Sequence, residues 1–386
     1  MSFFRRLFGN SHAESVVLID IGSGSIGGAY AVLKEKNYPT ICYTCRIPIR
    51  TSEPIPTIDD LSITLREVTR LLVTHGASEL RRMTGSGSVG RAVVSVASPW
   101  QETTVRIART ERDKPFVFTR SLLNELVAKE AHLPSGRTST GESVIATLLN
   151  GYEIQEPFNK RVRHAEVVIL SENIVTEAVT IIETRVREAF HLHEVTLTAF
   201  APLAYTVFRD VYPHENDYLM LDIAGAATDV ALVKRHLLTS MASIPRGVGN
   251  LMQGFKKSMG EAPPRESSAA NNIRLVLDVK PNAKFEAVRS EWITGLRDAL
   301  RKMSNEQALP RTLFLLSDDS EREYLHHTLD DSALRSLWLS ETPLSIIPVL
   351  PSHFAPYVKT SGSAHADVFL MLLALFLRKR IETLHA

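Results

Sequence analysis

The sequence is poor in cysteine, in aromatic residues and in long apolar runs, and neither sign of charge is in excess. Its 386 residues hold two cysteines, 7% aromatic residues, and 44 Lys plus Arg against 43 Asp plus Glu. So few cysteines make a reduced, cytoplasmic setting the default. Cys42 and Cys45 are spaced C-x-x-C in TICYTCRIPI, but that run reads as a strand, where positions i and i+3 point to opposite faces. A redox pair of this spacing belongs at a helix start, so neither redox nor metal use is expected here. The balanced charge gives no electrostatic basis for binding nucleic acid. The longest apolar run, Val368 to Leu377, has ten residues, about half of the ~20 needed to cross a bilayer. The opening MSFFRRLFGNS is too short for a signal peptide. As a helix it is amphipathic: Phe3, Phe4, Leu7 and Phe8 share one face and Arg5 and Arg6 the other, a pattern suited to a weak membrane-surface anchor.

What is present is an alternation of short apolar strands with amphipathic helices, in a chain long enough for two or more domains. Val16 to Ile19 reads as a buried strand ending at Asp20. After a glycine turn, GGAYAVLKEKNYPTICYTCRIPI gives two more strands with a polar turn at Lys34 to Asn37. TIDDLSITLREVTRLLVTHG predicts a helix capped by Thr57 or Asp59, with Leu61, Leu65, Val68 and Leu72 in one stripe. RAVVSVAS reads as a strand, TRSLLNELVAKEAHL as a helix and PSGRTSTGES as a loop. VIATLLNGYEI and RHAEVVILS read as paired strands. SENIVTEAVTIIETRVREAF predicts a helix capped near Ser171 or Asn173, and EVTLTAF a strand. DYLMLDIAGAATDVALVKRHLLTSMAS then repeats the N-terminal pattern: an apolar strand ends at an aspartate, Asp222, and a small-residue turn leads to another strand. GEAPPRESSAANN is linker-like. EAVRSEWITGLRDALRKM predicts a helix with Trp292, Ile293, Leu296, Leu300 and Met303 on one face, RTLFLLSDD a strand, and the last apolar run a helix.

The glycines Gly22, Gly24 and Gly27 match G-x-G-x-x-G. A dinucleotide-binding turn needs a helix directly after its glycines, and here the chain continues as strand. GSGSVGRA, Gly85 to Ala92, lacks the Lys and Ser/Thr of a phosphate-binding loop and precedes a strand instead of following one. The better reading is a hairpin whose turn cradles phosphate with backbone N–H groups. Gly22 and Gly24 would allow close approach, Ser23 and Ser25 would add hydroxyls, and Asp20 would orient a magnesium-bound water. Two such hairpins, led by Asp20 and Asp222, would hold one nucleotide between them. His191, His193, His326 and His327 read as surface histidines, since no further ligands join them.

DIGSGSIGGAY and LDIAGAATDVAL resemble the two phosphate motifs of the actin, hexokinase and heat-shock chaperone ATPase superfamily. Within it, GYEIQEPFNKRVRHAEVVIL, LTAFAPLAYTVF, SIPRGVGNLMQGF and RTLFLLSDDSEREYLHHTL resemble, in order, segments of the bacterial cell-division actin homologue FtsA and its relative PilM. The resemblance implies an α/β, actin-like (ribonuclease H-like) two-lobe fold with an SHS2 (1C) insertion. It implies a first lobe from residues 14–98 and 172–215, the insertion at 99–171, a second lobe from 216–258 and 308–386, and a short IIB subdomain at 259–307. It implies ATP and Mg as cofactors, with Asp20, Gly22, Ser23, Gly24, Ser25, Asp222, Gly225, Thr228, Gly247 and Ser317 at the nucleotide, and Asp20 and Asp222 holding Mg through water.

Several positions depart from a working ATPase. Ala224, Ala226 and Ala227 stand where the pattern has Gly and Thr, Ala201 stands where a Glu would position the attacking water, and Ser317 and Asp318 replace a Gly-Gly pair. Without a water-positioning group, hydrolysis is expected to be slow or absent. Thr228-Asp229 and the Pro202 segment favour an FtsA-like protein: a nucleotide-responsive scaffold at the inner face of the cell membrane, tethering an FtsZ-like filament and capable of self-polymerisation. The alternative is a PilM-like pilus-assembly adaptor that holds the cytoplasmic peptide of a membrane partner. A sugar-kinase-type enzyme has no sugar-site motif to support it.

Overall fold

A computed structural model of the chain describes residues 13–34, 37–51, 53–129, 133–251, 283–306, 308–318, 321–338 and 344–385. The chain divides into two compact units: residues 1–96, 178–211 and 350–386 form one, residues 97–177 and 212–349 the other.

The first unit is built on a six-stranded sheet. Strands β1 (Glu14–Ile21), β2 (Ser25–Leu33), β3 (Thr40–Pro48), β4 (Arg91–Val96) and β9 (Val195–Ala199) are joined by β15 (Lys359–Ser363), in the order β15-β3-β2-β1-β4-β9. β1 and β2 are antiparallel, while β1, β4 and β9 are parallel. A two-faced sheet explains why β1 and β2 read as continuous apolar runs: residues 16–33 of the two strands are almost all buried. Helix α1 (Ile58–Leu71) is capped by Thr57 in a reciprocal capping box with Asp60. A π-helical turn, Leu72–Gly76, and α2 (Ala77–Thr84) follow it. Gly28 lets α1 lie close, since a Cβ there would stand 2.7 Å from Val68 and 2.9 Å from Leu72.

The second unit contains two sheets. β10 (Tyr218–Ile223), β11 (Thr228–Lys234), β12 (Leu237–Ile244), β13 (Thr312–Leu316) and β14 (Ser345–Pro348) run in the order β12-β11-β10-β13-β14. The other sheet, order β5-β8-β6-β7, comprises β5 (Gln101–Val117), β6 (Arg137–Leu149), β7 (Tyr152–Glu153) and β8 (Arg161–Val175). Helix α3 (Arg120–Lys129) covers one of its faces through Leu122 and Leu126. Asn150 and Gly151 both take positive φ, 52° and 86°, which closes the β6–β7 hairpin.

Several expectations need correction. Residues 350–386 do not stay with the second lobe. β15 pairs in parallel with β3, and the C-terminal helix packs on the first sheet. Residues 97–177 cluster with the second unit. The segment expected as a loop, PSGRTSTGES, becomes strand from Arg137, because ladder pairing with β8 overrides its turn-prone composition. Helix α4 (Thr176–Phe190) starts at Thr176, not near Ser171, because β8 keeps its partners through Val175. The long strand β5 was not foreseen: charges fall on both of its faces over Arg109 to Lys114, as on an edge strand. Of the expected IIB subdomain, helix α6 (Ala283–Glu306) lies among the described residues. Its Trp292, Ile293, Leu296, Leu300 and Met303 pack into the same cluster as Leu219, Leu221, Val230 and Leu232 of the second unit's sheet. Phe3, Phe4, Leu7, Phe8 and the linker-like Gly260 to Asn272 lie outside the described residues. Among the described residues no helix is long and apolar enough to cross a membrane.

Candidate functional site

The first hairpin carries one row of side chains across its sheet. Register sets Asp20 opposite Gly27, Gly27 opposite Arg46, and Asp20 beside Ser95 of β4. Gly27 has no side chain, so the Arg46 guanidinium lies over it and reaches Asp20. A Cβ on Gly27 would stand 2.5 Å from Arg46 Nη2. Arg46 Nη2 donates to Asp20 Oδ2 at 3.0 Å, Arg46 Nη1 donates to Ser25 Oγ at 2.9 Å, and Ser95 Oγ donates to Asp20 Oδ1 at 2.9 Å. From the far side Asp367 grips the same guanidinium, accepting from Nε at 2.7 Å and from Nη2 at 3.0 Å. The Phe369 ring lies 5.0 Å beneath it. Asp20 is 3% exposed. Burial pushes its carboxyl above the usual range and Asp367 adds to this, while Arg46 and Ser95 pull it back. In the turn itself Gly22 N–H donates to Ser25 O at 3.1 Å, Gly24 O accepts from Ile49 N–H at 2.9 Å, and Ser23 and Ser25 are buried.

The corresponding row of the second hairpin runs Leu316, Asp222, Asp229, Ser243. It sets two buried acids opposite one another, with no arginine in the row. Ser98 Oγ donates to Asp229 Oδ1 at 2.8 Å. Burial raises the Asp229 carboxyl, while Ser243 and Ser98 oppose this. Thr228 is fully buried and spoken for: it accepts from Trp292 Nε1 at 3.0 Å and donates to Arg246 O at 2.8 Å. The turn is closed by the segment that follows β12. Val248 N–H donates to Ala224 O at 2.9 Å, Gly249 N–H to Gly225 O at 2.7 Å, and Gly247 N–H to Asn250 Oδ1 at 2.8 Å. A Cβ on Gly247 would overlap the Ala224 carbonyl oxygen, and one on Gly249 would stand 2.6 Å from Gly225 O. The glycines therefore serve backbone packing. Ala224, Ala226 and Ala227 have no positive φ, so methyl groups cause no backbone strain there. Ser317 is buried, and among the described residues its hydroxyl has no hydrogen-bond partner. Ala201, at the position expected to lack a water-positioning group, is buried in helix α5 (Phe200–Val211).

Other features are structural. Burial holds the Cys42 and Cys45 thiols up at about 11, which leaves neither reactive near neutrality. Among the described residues no group of three His, Cys, Asp or Glu side chains is placed to hold a metal ion. Gly85 caps α2 with φ 81°, and the loop after it leads into β4. In the C-terminal helix, Lys379 pairs with Asp210 at 2.8 Å and Arg378 lies 4.6 Å over the Tyr38 ring, so both cations are engaged within the first unit.

Sequence reasoning passed over Arg46 and Asp367. The available signals were an arginine inside the apolar run CRIPI and an aspartate just before an apolar helix. The surroundings of Asp20 do not fit a magnesium-bound water: its carboxylate is buried, and the cation that meets it is the Arg46 guanidinium, itself held by Asp367.

The fold is the mixed α/β, two-lobe fold of actin-like ATPases. No protein-family model and no curated protein matches the sequence. In structure the chain is similar to a PilM-PilN type IV pilus biogenesis complex, with a TM-score of 0.62 and 14% identity over 95% of this chain and 98% of that one. It also aligns with the ethanolamine utilization protein EutJ from Carboxydothermus hydrogenoformans, at a TM-score of 0.45 and 13% identity over 97% and 93% of the two chains. A protein of actin-like ATPase fold from Bacteroides thetaiotaomicron aligns at a TM-score of 0.43 and 10% identity over 94% and 96%.

Proposed function

We propose that this protein is a PilM-like adaptor of a type IV pilus-type assembly, binding a cytoplasmic segment of a membrane partner without metal-dependent nucleotide turnover. The observation that carries this reading is the likeness to the PilM-PilN complex over nearly the whole of both chains. Two features of the chain support it. Asp20 is bonded to Arg46 and Ser95, and the backbone of the second turn is bonded to the segment after β12. In the 97–177 module, the outer side of β6 is paired at Leu148 and Leu149, with Ile154 N–H donating to Thr147 O, and among the described residues no strand pairs with it from Arg137 to Ala146. An open strand edge of this kind accepts an extended peptide.

The sequence-based preference for an FtsA-like division scaffold is reversed. Thr228 is explained by its bonds to Trp292 and Arg246, Asp229 by Ser98, and Pro202 by burial in the first turn of α5. None of these residues then argues for a filament tether. A position at the inner membrane face, reached through the partner or through the N-terminal Phe3, Phe4, Leu7 and Phe8, is part of the proposal.

The test is calorimetric titration of the purified chain with the N-terminal cytoplasmic peptide of its cognate single-span pilus membrane protein. Saturable one-to-one binding is expected. No binding at about 100 μM peptide, an affinity limit near −5 kcal/mol, together with co-sedimentation with FtsZ-like filaments, would restore the division reading.

A further inference from the structure

Asp20, Arg46 and Asp367 come from three separate stretches of the first unit, and one guanidinium joins them. Arg46 gives Nη2 to both acids at 3.0 Å, Nε to Asp367 at 2.7 Å and Nη1 to Ser25 at 2.9 Å. Its side chain is 20% exposed, Asp20's 4% and Asp367's 16%. A buried and a half-buried carboxylate this close would repel each other without a cation between them. The family resemblance sets a hydrated divalent ion at Asp20, and here the cation on that carboxylate is Arg46. Asp367 also accepts from Leu370 N–H at 3.1 Å, in the first turn of the C-terminal helix Val368–His385. The same guanidinium thereby fastens that helix to the β1–β2 turn.

We propose that Arg46 is a built-in cation that replaces the metal at Asp20 and latches the C-terminal helix to the first hairpin, so that this unit holds one state regardless of magnesium or nucleotide. Three sequence choices serve that arrangement together. Gly27 clears the path, Ser25 takes the remaining guanidinium edge, and Phe369 supports the flat face of the cation. An arginine suits the role because its fork bonds two acids and a hydroxyl at once. The inference does not depend on which partner the protein binds.

The experiment compares thermal melts of the full chain and of Arg46→Met, Asp20→Asn and Arg46→Met/Asp20→Asn variants, each in EDTA and in about 5 mM MgCl2, a concentration well above ordinary magnesium-site affinities. The wild type is expected to melt within about 1 °C in both buffers, since a ligand that does not bind cannot stabilise. Arg46→Met is expected to melt several degrees lower, because two acids then face each other uncompensated. The double variant is expected to recover part of that loss, with one acid neutral. A wild type stabilised by magnesium, an Arg46→Met variant as stable as wild type, or a double variant no better than Arg46→Met would each overturn the proposal. If Arg46→Met does not fold, the double variant decides alone: folding supports charge compensation, and failure to fold contradicts it.

Discussion

The two aspartate-led hairpins have the same skeleton and opposite electrostatics. In the first, the row Ser95–Asp20–Gly27–Arg46 matches an acid with a base across an empty glycine. In the second, the row Leu316–Asp222–Asp229–Ser243 places two acids opposite each other and relies on hydroxyl donors and a sealed backbone turn. Like charges directly opposed across strands are unfavourable, and burial itself raises the Asp229 carboxyl. One hairpin is therefore neutralised by side chains, and the other is closed by its main chain. A glycine in the first turn region clears space for a flexible side chain, whereas a glycine in the second lets two backbones touch.

That difference sets the order of expected effects. Gly247→Ala should be the most damaging, about 3 kcal/mol by denaturant unfolding, because the added methyl meets a fixed carbonyl. Gly27→Ala should cost less, about 1–2 kcal/mol, since the neighbour is the end of an arginine that can swing aside. Equal costs for the two would break the comparison. Trp292→Phe keeps most of the ring packing and loses the bond to Thr228, for about 1 kcal/mol in the second unit alone. A pH-dependent effect, separate from these substitutions, concerns Glu321, whose carboxyl is pushed up to about 8 by burial, with the Asp318 carboxylate adding to it. Between the unfolded and folded values the folded chain holds a proton that the unfolded chain has released. Stability should therefore fall as pH rises from about 5 to about 8 and level off above that. Melts across this range should show a shallower slope for Glu321→Gln than for wild type.

The strand–turn–strand units were legible because β1, β2, β10 and β11 are apolar on both faces and end in polar turns. Helices α1 and α6 were legible from their stripes and, for α1, from its cap. Residues 101–117 were not read as strand because charged side chains alternate with apolar ones only at the start and then fill both faces. The start of α4 was misplaced because Ile174 and Val175 suit a strand and a helix stripe alike. At the candidate site, the aspartates and glycines were visible as a pattern, but their use was not. The Gly27 spacing resembles a nucleotide fingerprint, yet the glycine is needed to let Arg46 pass. Nor does the chain order hint that Asp367 returns to Arg46 across a separation of 321 positions. Such pairings follow from register and from where the C-terminal helix docks, which local periodicity does not encode.

The most direct test of the central claim, that Asp20 is served by Arg46 and not by a metal–nucleotide complex, is calorimetric titration of Mg-ATP into the wild-type chain. The account predicts no saturable heat up to about 1 mM nucleotide, an affinity weaker than about −4 kcal/mol. A saturable isotherm that disappears in EDTA and in Asp20→Asn would contradict it.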